Sequence, residues 1–266
     1  MAGNSVNLAT GNTFVSQSDI SVPGLGGGIS LGRTWNSIMP TGVQTAGIFG
    51  MNWTSTYEER IFVDGDGLVK YSSGIGDLWS FGVTTAFGGT GGNQTIYSVI
   101  APHNSGASLL GDSTYLTVTL KSGEKRTFSR ANGQLLSISD RNGNLTQLTY
   151  DASYRLVTVT DPASRHLYFN YAVEGYPNLV SSVTSDFGVS LSYVYSGLYL
   201  VKVVRPDNSF VTFDYAALPG NANYLLTAVR DQDGKVLESH SYDYIGRGLS
   251  SQRANGVDAL SVNYLQ

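Results

Sequence analysis

The chain has 266 residues, 14% of them charged against about 25% in ordinary soluble domains, with a formal net charge of −4 and no cysteine. That composition excludes disulfides, thiolate metal sites and a cysteine nucleophile, and the lack of any basic run disfavours nucleic acid and a polybasic membrane surface. No apolar run approaches the roughly 18 residues of a membrane helix, so no inserted helix is expected.

Residues 1–112 hold 21 of the 32 glycines, 3 of the 17 tyrosines and 3 of the 16 basic residues, Arg33, Arg60 and Lys70. The start has neither a basic head nor an apolar stretch, so no signal peptide of the usual form is predicted. The glycine-rich stretches 24–28 and 88–92 lack a following Gly-Lys-Ser/Thr and read as flexible loops rather than phosphate cradles. Asp64-Gly-Asp-Gly67, like Asp231-Gln-Asp-Gly234 further on, begins as a calcium loop would. The twelfth position, which needs a glutamate, is Ile75 in one and Tyr242 in the other, so both read as hairpin turns. Helical i, i+3, i+4 spacing is hard to find throughout, and helix is expected in less than about a tenth of the residues.

Residues 113–266 repeat. Tyr115–Leu120, Leu136–Ser139, Leu156–Thr160 and Leu191–Tyr195 alternate as half-buried strands do, and turn residues such as Asn142-Gly143 and Asp233-Gly234 sit between such runs. An aromatic closes each hairpin at Phe128, Tyr150, Tyr171, Tyr195, Tyr215, Tyr242 and Tyr264, at intervals of 22, 21, 24, 20, 27 and 22 residues. A leucine stands 15 residues before the closing tyrosine in three units: Leu135 to Tyr150, Leu156 to Tyr171 and Leu200 to Tyr215. About seven units of strand, turn, strand and connector result. One hairpin cannot stabilise itself, whereas stacked neighbours can. The reading is all-β: a Gly-rich N-terminal β-domain over 1–112, then stacked antiparallel hairpin repeats over 113–266 in a curved, open sheet.

Several units carry the same phrase. Tyr242, Asp243, Gly246 and Arg247 form Tyr-Asp-x-x-Gly-Arg in full, and Tyr150, Asp151 and Arg155 repeat it with Tyr154 in the glycine place. Tyr171, Tyr195 and Tyr215 keep the tyrosine. This resembles the YD repeat of the Rhs family. Val6–Asn12, Val22-Pro-Gly-Leu25, Leu31–Ser37, Phe49–Trp53 and Tyr57–Arg60 occur in the order of the domain that precedes the repeats in bacterial Rhs proteins. The resemblance implies a non-enzymatic part of a β-shell that encloses a C-terminal toxin, exported by a specialised route to the cell surface or outside. It also implies that this is an N-terminal fragment, a degenerate member or an excised module. The implied partners are the remainder of the shell and the toxin. The alternative is a surface adhesion or carbohydrate-binding module in which the tyrosines stack on sugars.

Other chemistry has little support. His103, His166 and His240 are isolated, no Gly-x-Ser-x-Gly elbow occurs, and neither a metal nor a cofactor is expected. Seven hairpins make about fourteen strands, on the order of 65 Å of sheet at roughly 4.8 Å per strand. A circle of that perimeter is only about 20 Å across, too narrow for a folded toxin. An open sheet with an unpaired edge at the Leu260–Leu265 end is therefore expected, with self-association through it.

Overall fold

A single five-residue turn recurs along the chain. The first residue accepts the N–H of the fourth and donates to the carbonyl of the fifth, as at 64–68, 140–144, 231–235 and 243–247. The fourth place must take a positive φ, and Gly67, Gly143, Gly234 and Gly246 supply it at 75°, 84°, 79° and 91°. Glycine does so without a Cβ penalty. Both sequences resembling calcium loops are turns of this kind.

The computed structural model describes residues 5–87, 94–218 and 224–264. The glycine stretch 88–92 lies outside them. An N-terminal three-stranded sheet is ordered β1 (Phe14–Val22), β2 (Ile29–Asn36), β5 (Trp53–Ser55), with a two-stranded ribbon of β3 (Ala46–Gly47) and β4 (Gly50–Met51). The remaining strands form one antiparallel ladder. It begins with β6 (Arg60–Val63), β7 (Val69–Ser72), β8 (Leu78–Phe87), β9 (Gln94–Ala101) and β10 (Ser108–Gly111). It continues as β11 (Tyr115–Thr119), β12 (Lys125–Ser129), β13 (Leu135–Ser139), β14 (Leu145–Tyr150), β15 (Leu156–Thr160), β16 (His166–Asn170) and β17 (Ser182–Ser185). It ends with β18 (Ser190–Ser196), β19 (Tyr199–Val204), β20 (Phe210–Ala217), β21 (Tyr224–Arg230), β22 (Val236–Tyr242), β23 (Gly248–Arg253) and β24 (Leu260–Ser261).

Each of these nineteen strands pairs with the next, and β24 pairs only with β23 among the described residues. The expected open, all-β sheet is therefore present; the only helical elements among the described residues are two short 3-10 turns. The ladder runs without a break from β9 through β10 into β11, so strands from both sides of residue 112 share it.

The sheet coils because its ladder slips at the repeating aromatics. Phe128 pairs with Leu135, Tyr150 with Leu156, Tyr195 with Leu200, Tyr215 with Leu226 and Tyr242 with Gly248, each directly after a register shift. One extra residue in the following strand, for instance Val157 or Val201, makes each slip a bulge, and a bulge bends its strand and increases its twist. Between β6 and β12 the ladder slips instead in the β8–β9 pair, at Ser80–Phe81 and Val83–Thr85, and this part of the sheet curves so that β6 meets the connection between β12 and β13. There Arg60 bridges Gln134, and Ile61 N donates to Gly133 O at 3.0 Å. Gly133 has φ +71°, and a Cβ on it would lie 1.8 Å from Ile61 O, so only glycine permits this contact.

The N-terminal sheet packs on the buried face of the ladder. Trp35, Phe49, Trp53 and Tyr57 are buried and meet Tyr242, Tyr193, Phe213 and Phe169 respectively, with ring centroids 4.8–6.4 Å apart. Main-chain bonds add to the seam, including Val180 N to Ile48 O and Met51 N to Leu198 O, both 2.8 Å. The result is one continuous hydrophobic core. The stretch 24–28 differs from the flexible loop expected. Leu25–Gly27 is a 3-10 turn, and a Cβ on Gly24 would lie 2.5 Å from Arg165 Nη2. Gly24 and Gly26 pack against the turns of the ladder, and Arg165 Nη1 reaches Pro23 O at 3.3 Å.

Candidate functional site

The motif tyrosines form a ladder of hydroxyls across the buried face. Tyr150 donates to Leu135 O (2.6 Å), Tyr171 to Leu156 O (2.9 Å), Tyr195 to Val180 O (2.8 Å) and Tyr215 to Leu200 O (3.0 Å), each 15 residues back. Tyr242 reaches Leu226 O (2.5 Å) and Tyr264 reaches Gly248 O (2.9 Å), 16 residues back. The three leucine–tyrosine pairs spaced by 15 are thus direct contacts. Each hydroxyl satisfies a carbonyl at or near the start of the preceding strand and so bolts the open end of its own hairpin closed. Burial pushes the hydroxyls of Tyr150, Tyr171, Tyr195, Tyr215 and Tyr242 well above the ordinary tyrosine range. They stay protonated donors.

Asp and Arg complete the bolt where both occur. Asp151 Oδ1 accepts the N–H of Ser153 and of Arg155, while Oδ2 accepts Arg155 Nε at 2.8 Å and Nη2 at 2.7 Å. These bonds, first among them the main-chain N–H of Arg155, hold the Asp151 carboxyl below its usual range. The Arg155 guanidinium lies 4.8 Å above the Tyr171 ring, whose hydroxyl binds the carbonyl of the very next residue, Leu156. Asp243 and Arg247 repeat every step: Oδ1 accepts the N–H of Ile245 and Arg247, Oδ2 accepts Nε at 2.6 Å, and the guanidinium sits 4.1 Å over Tyr264. Gly246 in that turn meets nothing closer than 3.6 Å, so its φ, not its size, selects glycine. In the Tyr171 and Tyr215 units Ala172 and Ala216 stand in the Asp place, and no arginine stacks on Tyr195 or Tyr242 among the described residues.

A third clamp was not legible as a repeat motif. Asp161 accepts Ala163 N and Arg165 N on Oδ1 and Arg165 Nε (2.8 Å) and Nη2 (2.6 Å) on Oδ2, with its side chain fully buried. It follows no tyrosine, and Ser164 holds the positive-φ place at 60°. The Asp-x-x-x-Arg spacing was the signal available.

Further charges, which lie within Leu31–Ser37 and Tyr57–Arg60 without a role assigned there, fix the N-terminal sheet. Arg33 is 1% exposed and binds Asp19 through Nε at 2.5 Å and Nη2 at 2.8 Å, and Asp19 also accepts Tyr193 OH at 2.9 Å. The guanidinium is surrounded by Trp53, Tyr193, Phe49 and Phe213 at 4.7–5.8 Å. Burial opposes its charge, but Asp19 and the hydroxyls of Tyr193 and Tyr195 together outweigh that and raise its pKa. Glu59 accepts Tyr71 OH (2.8 Å) and Arg126 Nε (2.9 Å); burial is the larger influence and raises its pKa. Glu58 gives Oε1 to Ile48 N at 2.6 Å and leaves Oε2 buried without a partner.

The histidines stay apart. His166 pairs with Asp186 at 2.7 Å, and His240 is buried with neither ring nitrogen hydrogen-bonded, Nε2 lying 3.5 Å from Glu238 Oε1. No group of three or more His, Asp or Glu able to hold a metal occurs among the described residues. No helix among them is long and apolar enough to cross a membrane. What the described arrangement does chemically is hold strands in register and fasten the N-terminal sheet to them.

Two family models match. Residues 3–81 match a domain of unknown function (DUF6531), and residues 131–166 match the RHS Repeat. The second match spans the first full tyrosine–aspartate–arginine clamp and the Asp161–Arg165 turn. No curated protein matches the chain. Among solved structures, the crystal structure of TcdB2-TccC3-Cdc42 shares 13% identity over 83% of this chain, with a TM-score of 0.33. That of TcdB2-TccC3-TEV shares 14% over 79%, with a TM-score of 0.35. The chain spans 12% and 11% of the length of those two chains.

Proposed function

We propose that this chain, which belongs to the Rhs/YD-repeat family, is a non-enzymatic wall segment of a β-shell that encloses a toxin carried in the same or another chain. The observation that carries the reading is the ladder itself. Nineteen strands are joined in sequence order, bent at regular bulges and bolted by tyrosine hydroxyls, with side-chain chemistry spent on main-chain carbonyls and turns. In this proposal residues 1–112 start the wall and fill its buried face, and residues 113–266 extend it repeat by repeat. The free side of β24 is where further repeats, or a second copy, would add a strand, since an unpaired edge offers its N–H and C=O groups to any partner. The site of action in this reading is outside the producing cell.

Sugar stacking by the motif tyrosines has less support. A stacking platform needs open ring faces, and the rings of Tyr171, Tyr195 and Tyr215 pack against the core with their hydroxyls engaged.

Protease protection of the full-length protein, as the producing cell makes it, tests the shell reading. Sequence downstream of the repeats should survive proteinase K as long as the repeats stay folded and be digested once they are unfolded. Digestion of that sequence while the repeats remain intact would refute enclosure.

A further inference from the structure

A cavity of about 590 Å3 opens between residues 42–62 and the strand ends around β13, β14 and β15. Tyr57 and Tyr150 give it aromatic walls, Tyr154 stands on its rim 68% exposed, and Glu58 lines it. The Glu58 carboxyl is buried, Oε1 is taken by Ile48 N, and Oε2 has no partner within hydrogen-bond geometry; the Ser55 hydroxyl, also buried and unpartnered, is the neighbouring group that favours the ionised carboxylate. No cation sits against it among the described residues. Arg60, the nearest in charge, donates to Asn132 O at 3.2 Å, and Arg155 is held by Asp151. The other titratable groups facing it are the hydroxyls of Tyr150, Tyr171 and Tyr195, which donate to carbonyls, and Glu59, which is bound to Tyr71 and Arg126.

A carboxyl desolvated in this way takes up either a proton or a counter-ion. Aromatic faces around the same space attract a cation that sheds its water. We propose that this cavity binds a small organic cation, an alkylammonium or alkylguanidinium group, with Glu58 as its counter-charge and Tyr57 and Tyr150 as its aromatic walls. Such a group brings the donors that Oε2 lacks and an apolar stem for the aromatic wall. The site is independent of what the shell encloses.

Titration calorimetry with n-butylammonium and N-methylguanidinium chlorides, with n-butanol as the neutral control, tests the proposal. Burial pushes the Glu58 carboxyl up to about 7, so its ionised share rises from about a tenth at pH 6 to about nine-tenths at pH 8. A cation should therefore bind saturably and about tenfold more tightly at pH 8 than at pH 6. Near pH 7 binding should release a proton, visible as a heat that changes with the ionisation enthalpy of the buffer. Glu58→Gln should weaken binding at least about tenfold and remove the pH dependence. If that variant does not fold, the proton release of the wild-type protein decides. Absence of saturable binding by both cations, equal binding of n-butanol, or binding without proton release would overturn the assignment.

Discussion

Tyr215→Phe keeps the ring and deletes one oxygen. That oxygen donates to Leu200 O at 3.0 Å, bolting β20 to β19, and accepts Trp53 Nε1 at 3.1 Å, tying the N-terminal sheet to the ladder. Loss of the first bond costs about 1 kcal/mol net, and stranding a buried indole N–H adds about 1–3 kcal/mol. Trp53 is 0% exposed, so water cannot replace the lost acceptor. The total is about 2–4 kcal/mol, which lowers Tm by roughly 5–12 °C for a chain of this size. Tyr171→Phe is the internal comparison. Its hydroxyl makes only the Leu156 bond, and the Arg155 stack survives, so about 1 kcal/mol is expected. Urea unfolding followed by far-UV circular dichroism gives both values from the shift in midpoint at constant m. A double-mutant cycle with Trp53→Phe isolates the cross-sheet bond, and its coupling should exceed about 1 kcal/mol. Equal costs for Tyr215→Phe and Tyr171→Phe, with coupling near zero, would refute the claim that this hydroxyl fastens the two sheets.

Tyr154→Gly should stabilise the protein by about 1 kcal/mol, because Tyr154 holds φ +61° with its ring mostly exposed, and a non-glycine residue pays roughly 1–2 kcal/mol there; an unchanged thermal midpoint would contradict this. Asp161→Ala removes the acceptor of two turn N–H groups and leaves Arg165 without its carboxylate, for an expected loss of about 2–4 kcal/mol in the same urea assay. Two buried groups shape the pH profile in opposite senses. Glu58 is raised to about 7 from 4.5, so the folded chain holds a proton that the unfolded chain has released, and stability falls as pH rises between those values. Glu58→Gln should abolish that fall and gain up to about 3 kcal/mol at pH 8. His240 is lowered to about 4 from 6.5, so stability falls as pH drops through that window, and His240→Phe should flatten the acid limb of urea midpoints measured from pH 4 to 8. Light scattering should show association rising with concentration through the β24 edge and suppressed by Val262→Lys; a strictly monomeric wild type would count against a free edge.

Strand alternation and turn chemistry are local, and local rules made them legible. Asn142-Gly143 and Asp233-Gly234 set turns by the φ they tolerate, and the runs between them alternate because one face of the ladder is buried. The 15-residue interval from leucine to tyrosine was equally visible, since it is the chain length from the start of one strand to the end of the next. Its meaning was not: spacing cannot say that the tyrosine hydroxyl, rather than its ring, meets that leucine's carbonyl. The bulges at Phe128, Tyr150, Tyr195, Tyr215 and Tyr242 were hidden because one extra residue in a strand barely disturbs an alternating pattern. Asp161–Arg165 escaped because no tyrosine precedes the aspartate and Ser164 stands where Gly246 marks the complete motif. The seating of residues 5–59 against strands more than a hundred residues away depends on contacts with no sequence period at all. Arg33 and Asp19 look like ordinary surface charges in the sequence. Only the tertiary fold encloses them among Trp53, Tyr193 and Phe213, because burial of a charge is decided by what the rest of the chain places around it.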